Sequence, residues 1–147
     1  MRRLILLIML LSTVSIFSQK IKFKKGMVYK DEQPFMTYTT SGIFGQNGFM
    51  VKELGPYGES IIFRNKKITY EDGSTVHYKR IMFPSLGNGA FLEVSSGLRG
   101  RRGFIRWLIK NEILDFSGRI IYENVRSFIH LHDERLSAHR NTFYRGL

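Results

Sequence analysis

The stretch ITYEDGSTVHY, residues 68–78, places a tight turn between two runs of strand-forming residues. The turn at 71–74 contains Asp72 and Gly73, a pair that tolerates the positive φ angles of a hairpin turn. The flanking runs, 68–70 and 75–78, are rich in β-branched and aromatic residues, which favour strands. This stretch therefore predicts an antiparallel hairpin.

The strand pattern extends outward from this hairpin over residues 20–94. Residues 20–24 alternate polar and apolar side chains, which puts Ile21 and Phe23 on one face, and residues 27–29 continue extended. Turn-forming residues recur about every 8–12 positions, as expected for short strands joined in order. These breaks fall at 31–34, 42–48, 55–58, 71–74 and 87–89. We expect a meander of roughly six to eight strands.

Residues 104–139 change to the spacing of helices. Apolar residues recur with a period near 3.6 in 104–114 and again in 122–139, which predicts two helices. The side chains expected to bury them are Trp107, Leu108, Val125, Phe128 and Ile129. Strands followed by helices define an α+β fold. We therefore predict an antiparallel β meander followed by two C-terminal helices that cover one face of the sheet.

Residues 1–18 have the order of a signal peptide. Arg2 and Arg3 precede an apolar run over 4–17, and Ser18 supplies a small residue for cleavage before Gln19. A retained membrane anchor is the alternative, but these 14 residues are fewer than the roughly 20 that span a bilayer. We expect export to the periplasm or the exterior after cleavage near Ser18. Residues 19–147 would then form a single α+β domain.

Composition narrows the possible chemistry. The chain has no cysteine, which excludes disulfides, a thiol nucleophile and a thiolate metal site. Its formal charge is +11, and removing the two arginines of the leader leaves +9. A basic surface attracts phosphate-rich partners and anionic membranes, although it also serves solubility alone.

Parts of the chain resemble small exported proteins of Bacteroidota. The resemblance lies in Phe17-Ser18-Gln19 followed by residues 20–31, and in residues 107–114, 117–120 and 123–129. It implies an exported location and this architecture, and it carries over no catalytic residue.

A Gly/Arg loop at 97–103 is the first candidate site. Its three glycines alternate with Arg99, Arg101 and Arg102, after a predicted strand and before a predicted helix. Backbone N–H groups at a helix start, together with guanidinium groups, can hold a phosphate or a carboxylate. A turn with solvated arginines is the alternative. Phosphate, lipid headgroups and acidic polysaccharide are the anionic partners that we consider, and export disfavours nucleic acid.

The segment around His130 is the second candidate site. His130 and Glu134 are four residues apart, so they would share one face of a helix. Two ligands are too few for a metal centre, and HExxH spacing is absent, so a solvated helix end is the favoured interpretation. No set of residues assembles a catalytic site, and no cofactor motif is present.

These observations favour a small exported cell-envelope protein with a non-catalytic binding, interaction or structural role. The alternative is an envelope hydrolase or metal-dependent enzyme whose site comes from residues distant in sequence. A deep cleft that gathers His77, His130 or an acid pair would favour the enzyme. A shallow basic surface would favour binding.

Overall fold

The computed structural model describes residues 19–42, 47–70, 72–87, 89–95 and 100–138. Within these ranges the chain forms one antiparallel sheet of seven strands in sequence order, followed by two α-helices. The elements are β1 (Ile21–Lys24), β2 (Met27–Lys30), β3 (Gln33–Ser41), β4 (Gly48–Lys52), β5 (Ser60–Thr69), β6 (Thr75–Met82), β7 (Phe91–Ser95), α1 (Arg101–Lys110) and α2 (Tyr122–His132). The predicted α+β meander is confirmed.

Tight turns join the strands. Between β5 and β6, Gly73 has a φ of 80°, and Asp72 Oδ1 accepts a hydrogen bond from the Ser74 amide at 2.8 Å. This is the predicted Asp-Gly hairpin, although β5 and β6 are longer than the predicted runs 68–70 and 75–78. Between β1 and β2, Lys25 and Gly26 have φ angles of 49° and 78°. They form a two-residue turn where the sequence analysis expected continuous extended chain.

One face of the sheet carries the core. Phe49 pairs with Phe63 across β4 and β5, and their rings stack with centroids 4.2 Å apart. Phe104 of α1 lies on the same face, with its ring centroid 5.4 Å from that of Phe63. Of the predicted helix core, Leu108, Val125 and Phe128 are buried, while Trp107 and Ile129 are partly buried against the cluster. The helices therefore cover this face.

The first helix begins earlier than predicted. Its N-cap is Gly100, whose backbone is extended, and helical geometry starts at Arg101 rather than at residue 104. It ends at Lys110, where Asn111 Nδ2 donates to the Trp107 carbonyl at 2.8 Å. Three residues of the predicted Gly/Arg loop, Arg101, Arg102 and Gly103, consequently belong to the first helical turn.

The second helix ends earlier than predicted, at His132 rather than at residue 139. Asp133 departs from the helix because its Oδ1 accepts a hydrogen bond from the Glu93 amide of β7 at 2.9 Å. The Glu134 amide then donates to the Glu93 carbonyl at 2.8 Å. These bonds to β7 compete with further helical turns.

The connection between the helices is fastened to the sheet. The Ile120 amide donates to Glu53 Oε1 at 2.7 Å, although the two residues lie 67 positions apart. Gly118, at a φ of 86°, packs so tightly that a Cβ there would lie 2.2 Å from the Phe35 carbonyl oxygen. Only glycine fits this contact without displacing β3.

Candidate functional site

The Gly/Arg segment opens α1, as the sequence predicted. Arg101 and Arg102 are the first two residues of the helix, the former half-buried and the latter exposed. The first turn contains no acidic residue, and within the described chain no side chain caps it. Arg99 lies outside the described residues. The structure thus places two of the three predicted arginines at a helix start that no described side chain caps.

A lysine from the sheet joins these arginines. Lys79 projects from β6 toward α1, and its Nζ lies 5.6 Å from the centroid of the Phe104 ring. The ammonium group also donates a hydrogen bond to Asn65 Oδ1 of β5. Burial, and then the positive charge of Arg101, lower the pKa of Lys79 below its ordinary value of 10.5. We call Lys79, Arg101 and Arg102 the α1 basic cluster.

Lys79 is not among the site residues predicted from the sequence, although its position carried a signal. Lys79 shares a face of β6 with Ile81 and precedes the buried Phe83 by four residues. A lysine that alternates in register with core residues has its side chain on the sheet face that the helices cover. Which group of that layer it meets depends on how the helix crosses the sheet, and local spacing does not determine that crossing.

The electrostatics of the α1 basic cluster favour an anion. The backbone N–H groups of a first helical turn have no partners within their own helix, and the macrodipole adds partial positive charge there. Two guanidinium groups and one ammonium group increase that positive potential. An anion such as phosphate or carboxylate would relieve the repulsion that acts on Lys79 and would accept hydrogen bonds from the helix start.

The histidine segment does not form a convergent group. His130 is exposed on α2, and Glu134 lies beyond the end of that helix. The Glu134 carboxylate accepts hydrogen bonds from Ser95 N at 3.1 Å and Ser95 Oγ at 3.4 Å. Glu134 therefore helps to fasten the chain to β7. His132, half-buried, has its Nε2 3.2 Å from Asn111 Oδ1, and His139 lies outside the described residues.

A second polar cluster lies at the start of α2. Tyr122 stands beside the Glu59 carboxylate and Ser85, and burial, followed by Glu59, raises the pKa of this phenol to about 12. Tyr122 Oη and Glu59 Oε2 are both buried without a hydrogen bond of full geometry. A phenol with so high a pKa stays protonated at neutral pH, which suits a structural contact better than proton transfer.

The described residues line at least two open clefts. The larger, about 460 Å³, is lined by Leu54 and residues 115–119. The smaller, about 170 Å³, lies on β3, β4 and β5 and includes Thr39, Met50 and Arg64. Neither is lined by a histidine. His77 is exposed on β6, far along the sequence from His130 on α2.

In the described part of the chain, no three His, Cys, Asp or Glu side chains are placed to share a metal ion. No helix among the same residues has the length and apolar character to cross a bilayer. Comparison with protein-family models, with curated proteins and with solved structures finds no match.

Proposed function

We propose that this chain is a small exported protein of the cell envelope that binds an anionic component through the α1 basic cluster, without catalysing a reaction. The observation that carries the proposal is the convergence of Lys79 with Arg101 at a helix start that has no acidic residue in its first turn. The two groups come from separate elements, β6 and α1. The leader-like residues 1–18 support the exported location.

The fold brings these charges together at a cost. Lys79 is half-buried and faces a like charge, so its lowered pKa reports a destabilised ammonium group. A positive charge in the first helical turn is also unfavourable by about 0.3–1 kcal/mol through the macrodipole. An anion held by the cluster would reverse both effects. Its chemistry would be that of a phosphate or a carboxylate, as carried by free phosphate, lipid headgroups or acidic polysaccharide.

Binding of soluble anions tests the proposal. The probes are inorganic phosphate and polygalacturonate, a polysaccharide of carboxylated sugars. We expect weak, salt-sensitive binding that falls by roughly tenfold or more when Arg99, Arg101 and Arg102 are all replaced by alanine, because charge-assisted hydrogen bonds contribute about 1.5–3 kcal/mol each. Binding should also raise the pKa of Lys79, which NMR of its ammonium group measures.

A matched control carries the same change in net charge elsewhere. Lys110, Arg119 and Arg126 are exposed residues of the helical half, and their triple alanine variant keeps the α1 basic cluster. It should bind polygalacturonate within about threefold of wild type, since exposed charges beyond a Debye length of about 8 Å are screened. Equal losses in the two triple variants would attribute binding to net charge and contradict the proposal.

A further inference from the structure

The strands carry an uneven distribution of charge. Across the seven described strands, nine residues are lysine or arginine and one, Glu93, is acidic. Glu93 is already neutralised, because its Oε1 accepts hydrogen bonds from Arg80 Nε at 3.0 Å and Nη2 at 2.7 Å. Most of the positive charge of the strands therefore has no acidic partner within the sheet.

The sheet face away from the helices carries an apolar row that runs from β4 to the edge strand β7. Met50 pairs with Ile62, Ile62 with Met82, and Met82 with Phe91, so four neighbouring strands contribute one side chain each. Side chains alternate along a strand, so Ile62 points away from the face on which Phe63 meets α1. Both described helices pack on that other face. Beside Glu93 of β7 this face is covered by the chain that follows α2, because Ser137 N–H donates to Glu93 Oε2 and Glu93 is 1% exposed. We call the part of the face that holds the Met50–Phe91 row the open face.

Basic side chains flank this row on both sides. Arg64 pairs with Arg80 in the next row along the strands, and Lys66 lies one row further. Lys52 lies on the opposite side of the apolar row. Lys24 of β1 lies in the same cross-strand row as Lys52, through Met27 and Thr37. Among the described residues, the salt bridges that reach this face are Arg80–Glu93 and Lys22–Glu32. Lys24, Lys52, Arg64 and Lys66 form none with the described part of the chain.

We propose that the open face docks on the surface of an anionic lipid bilayer, a step that rests on the exported location proposed above. The face is amphipathic, with an apolar row across β4–β7 and cationic side chains on either side of that row. Its uncompensated charges extend from β1 to β5, which is four strand spacings or about 19 Å. A two-dimensional array of headgroups matches that spread.

Other occupants match the open face less well. A second copy of the chain would bring like charges against each other across the interface, which is unfavourable. A linear polyanion or an extended acidic peptide would meet only one line of the charges. Binding of the protein to an anionic lipid surface is favoured by about 1 kcal/mol for each basic residue near that surface, which corresponds to about a fivefold change in affinity per residue.

Vesicle binding tests the assignment with two variants of equal charge. The full-length chain is mixed with phosphatidylcholine vesicles with or without phosphatidylglycerol. We expect binding only with phosphatidylglycerol, and a loss of roughly 25-fold or more in the Arg64→Glu, Lys66→Glu variant. The control is Lys67→Glu with Arg126→Glu, because Lys67 follows Lys66 on β5 but points to the other face, and Arg126 is exposed on α2. Any contribution of residues 1–18 is common to both variants.

The control should bind within about threefold of wild type. The urea midpoints of both variants should match wild type, because all four substituted residues are exposed. Equal losses in the two variants, or equal binding to neutral vesicles, would overturn the assignment. Absence of vesicle binding would also overturn the assignment. In that case, binding of polyglutamate that is lost in the Arg64→Glu, Lys66→Glu variant would identify an acidic protein partner instead. None of these results bears on phosphate or polygalacturonate at the α1 basic cluster, so the two proposals fail separately.

Discussion

Glu93 shows how a single buried charge is stabilised in a basic sheet. Its side chain is 1% exposed, and it accepts hydrogen bonds from Arg80 and from the Ser137 amide, the latter at 2.6 Å. Burial by itself raises the pKa of Glu93, but the Ser137 N–H and the Arg80 guanidinium bring it below its ordinary value of 4.5. A carboxyl whose pKa is lower in the folded state stabilises the fold above the unfolded value, and this contribution is lost as the pH falls.

Replacing this carboxylate should weaken the fold in a pH-dependent manner. We expect Glu93→Gln to lower the free energy of unfolding at pH 7 by about 2–3 kcal/mol. Breaking a fully buried ion pair costs about 3–5 kcal/mol, and the loss here should be smaller because Arg80 reaches water. The difference from wild type should narrow below about pH 4.5, as wild-type Glu93 becomes protonated. Urea unfolding at several pH values measures both effects.

The exposed Glu123 of α2 provides the control for this change. Glu123→Gln should alter the free energy of unfolding by less than about 1 kcal/mol, since it removes only a favourable charge at a helix start. A difference between Glu93→Gln and wild type that stays constant from pH 7 to pH 3 would show that the Glu93 charge does not stabilise the fold.

At the scale of elements, α2 packs against α1 through the Phe128 ring. Phe128 is 3% exposed, and its ring centroid lies 4.7 Å from that of Trp107. Phe128→Ala should lower the free energy of unfolding by about 3–5 kcal/mol, because it removes apolar contact and leaves a cavity. Arg126→Ala on the exposed side of the same helix should change it by less than about 0.5 kcal/mol. Equal urea midpoints for the two variants would show that α2 contributes little to the core.

Local patterns predicted the elements better than their ends. The Asp72-Gly73 turn and the alternation around Ile21 depend on neighbouring residues only, and both appear in the structure as predicted. The end of α2 depends instead on Asp133, which binds a strand 40 residues earlier in the sequence. The apolar spacing within residues 122–139 could not predict this end of the helix, because the bonding partner lies outside that segment. Lys79 was absent from the predicted anion site for the same reason. Its neighbour in the structure, Arg101, is 22 positions away in the sequence.

At the scale of the whole molecule, the two faces of the sheet are suited to different contacts. One face is covered by α1 and α2, and the α1 basic cluster lies where α1 begins above Lys79. The open face presents Arg64, Lys66 and Lys52 around its apolar row. A chain docked on lipid through the open face would therefore leave the α1 basic cluster directed away from the bilayer, where it meets soluble anions. The two proposals are compatible in one orientation of the protein.

The proposed export of the whole chain leads to a prediction about timing. The described fold begins at Gln19, whose carbonyl accepts a hydrogen bond from Arg106 Nε at 3.2 Å, and the Lys20 amide donates to Asp31 Oδ1 at 2.9 Å. A peptidase needs an extended, accessible chain, so cleavage after Ser18 should precede folding. We expect mass analysis of envelope protein to give an N-terminus at Gln19. The full-length chain folded in vitro should then be cut by signal peptidase more slowly than the urea-unfolded chain after dilution. Recovery of intact Met1 from the membrane fraction would instead identify residues 1–18 as a retained anchor.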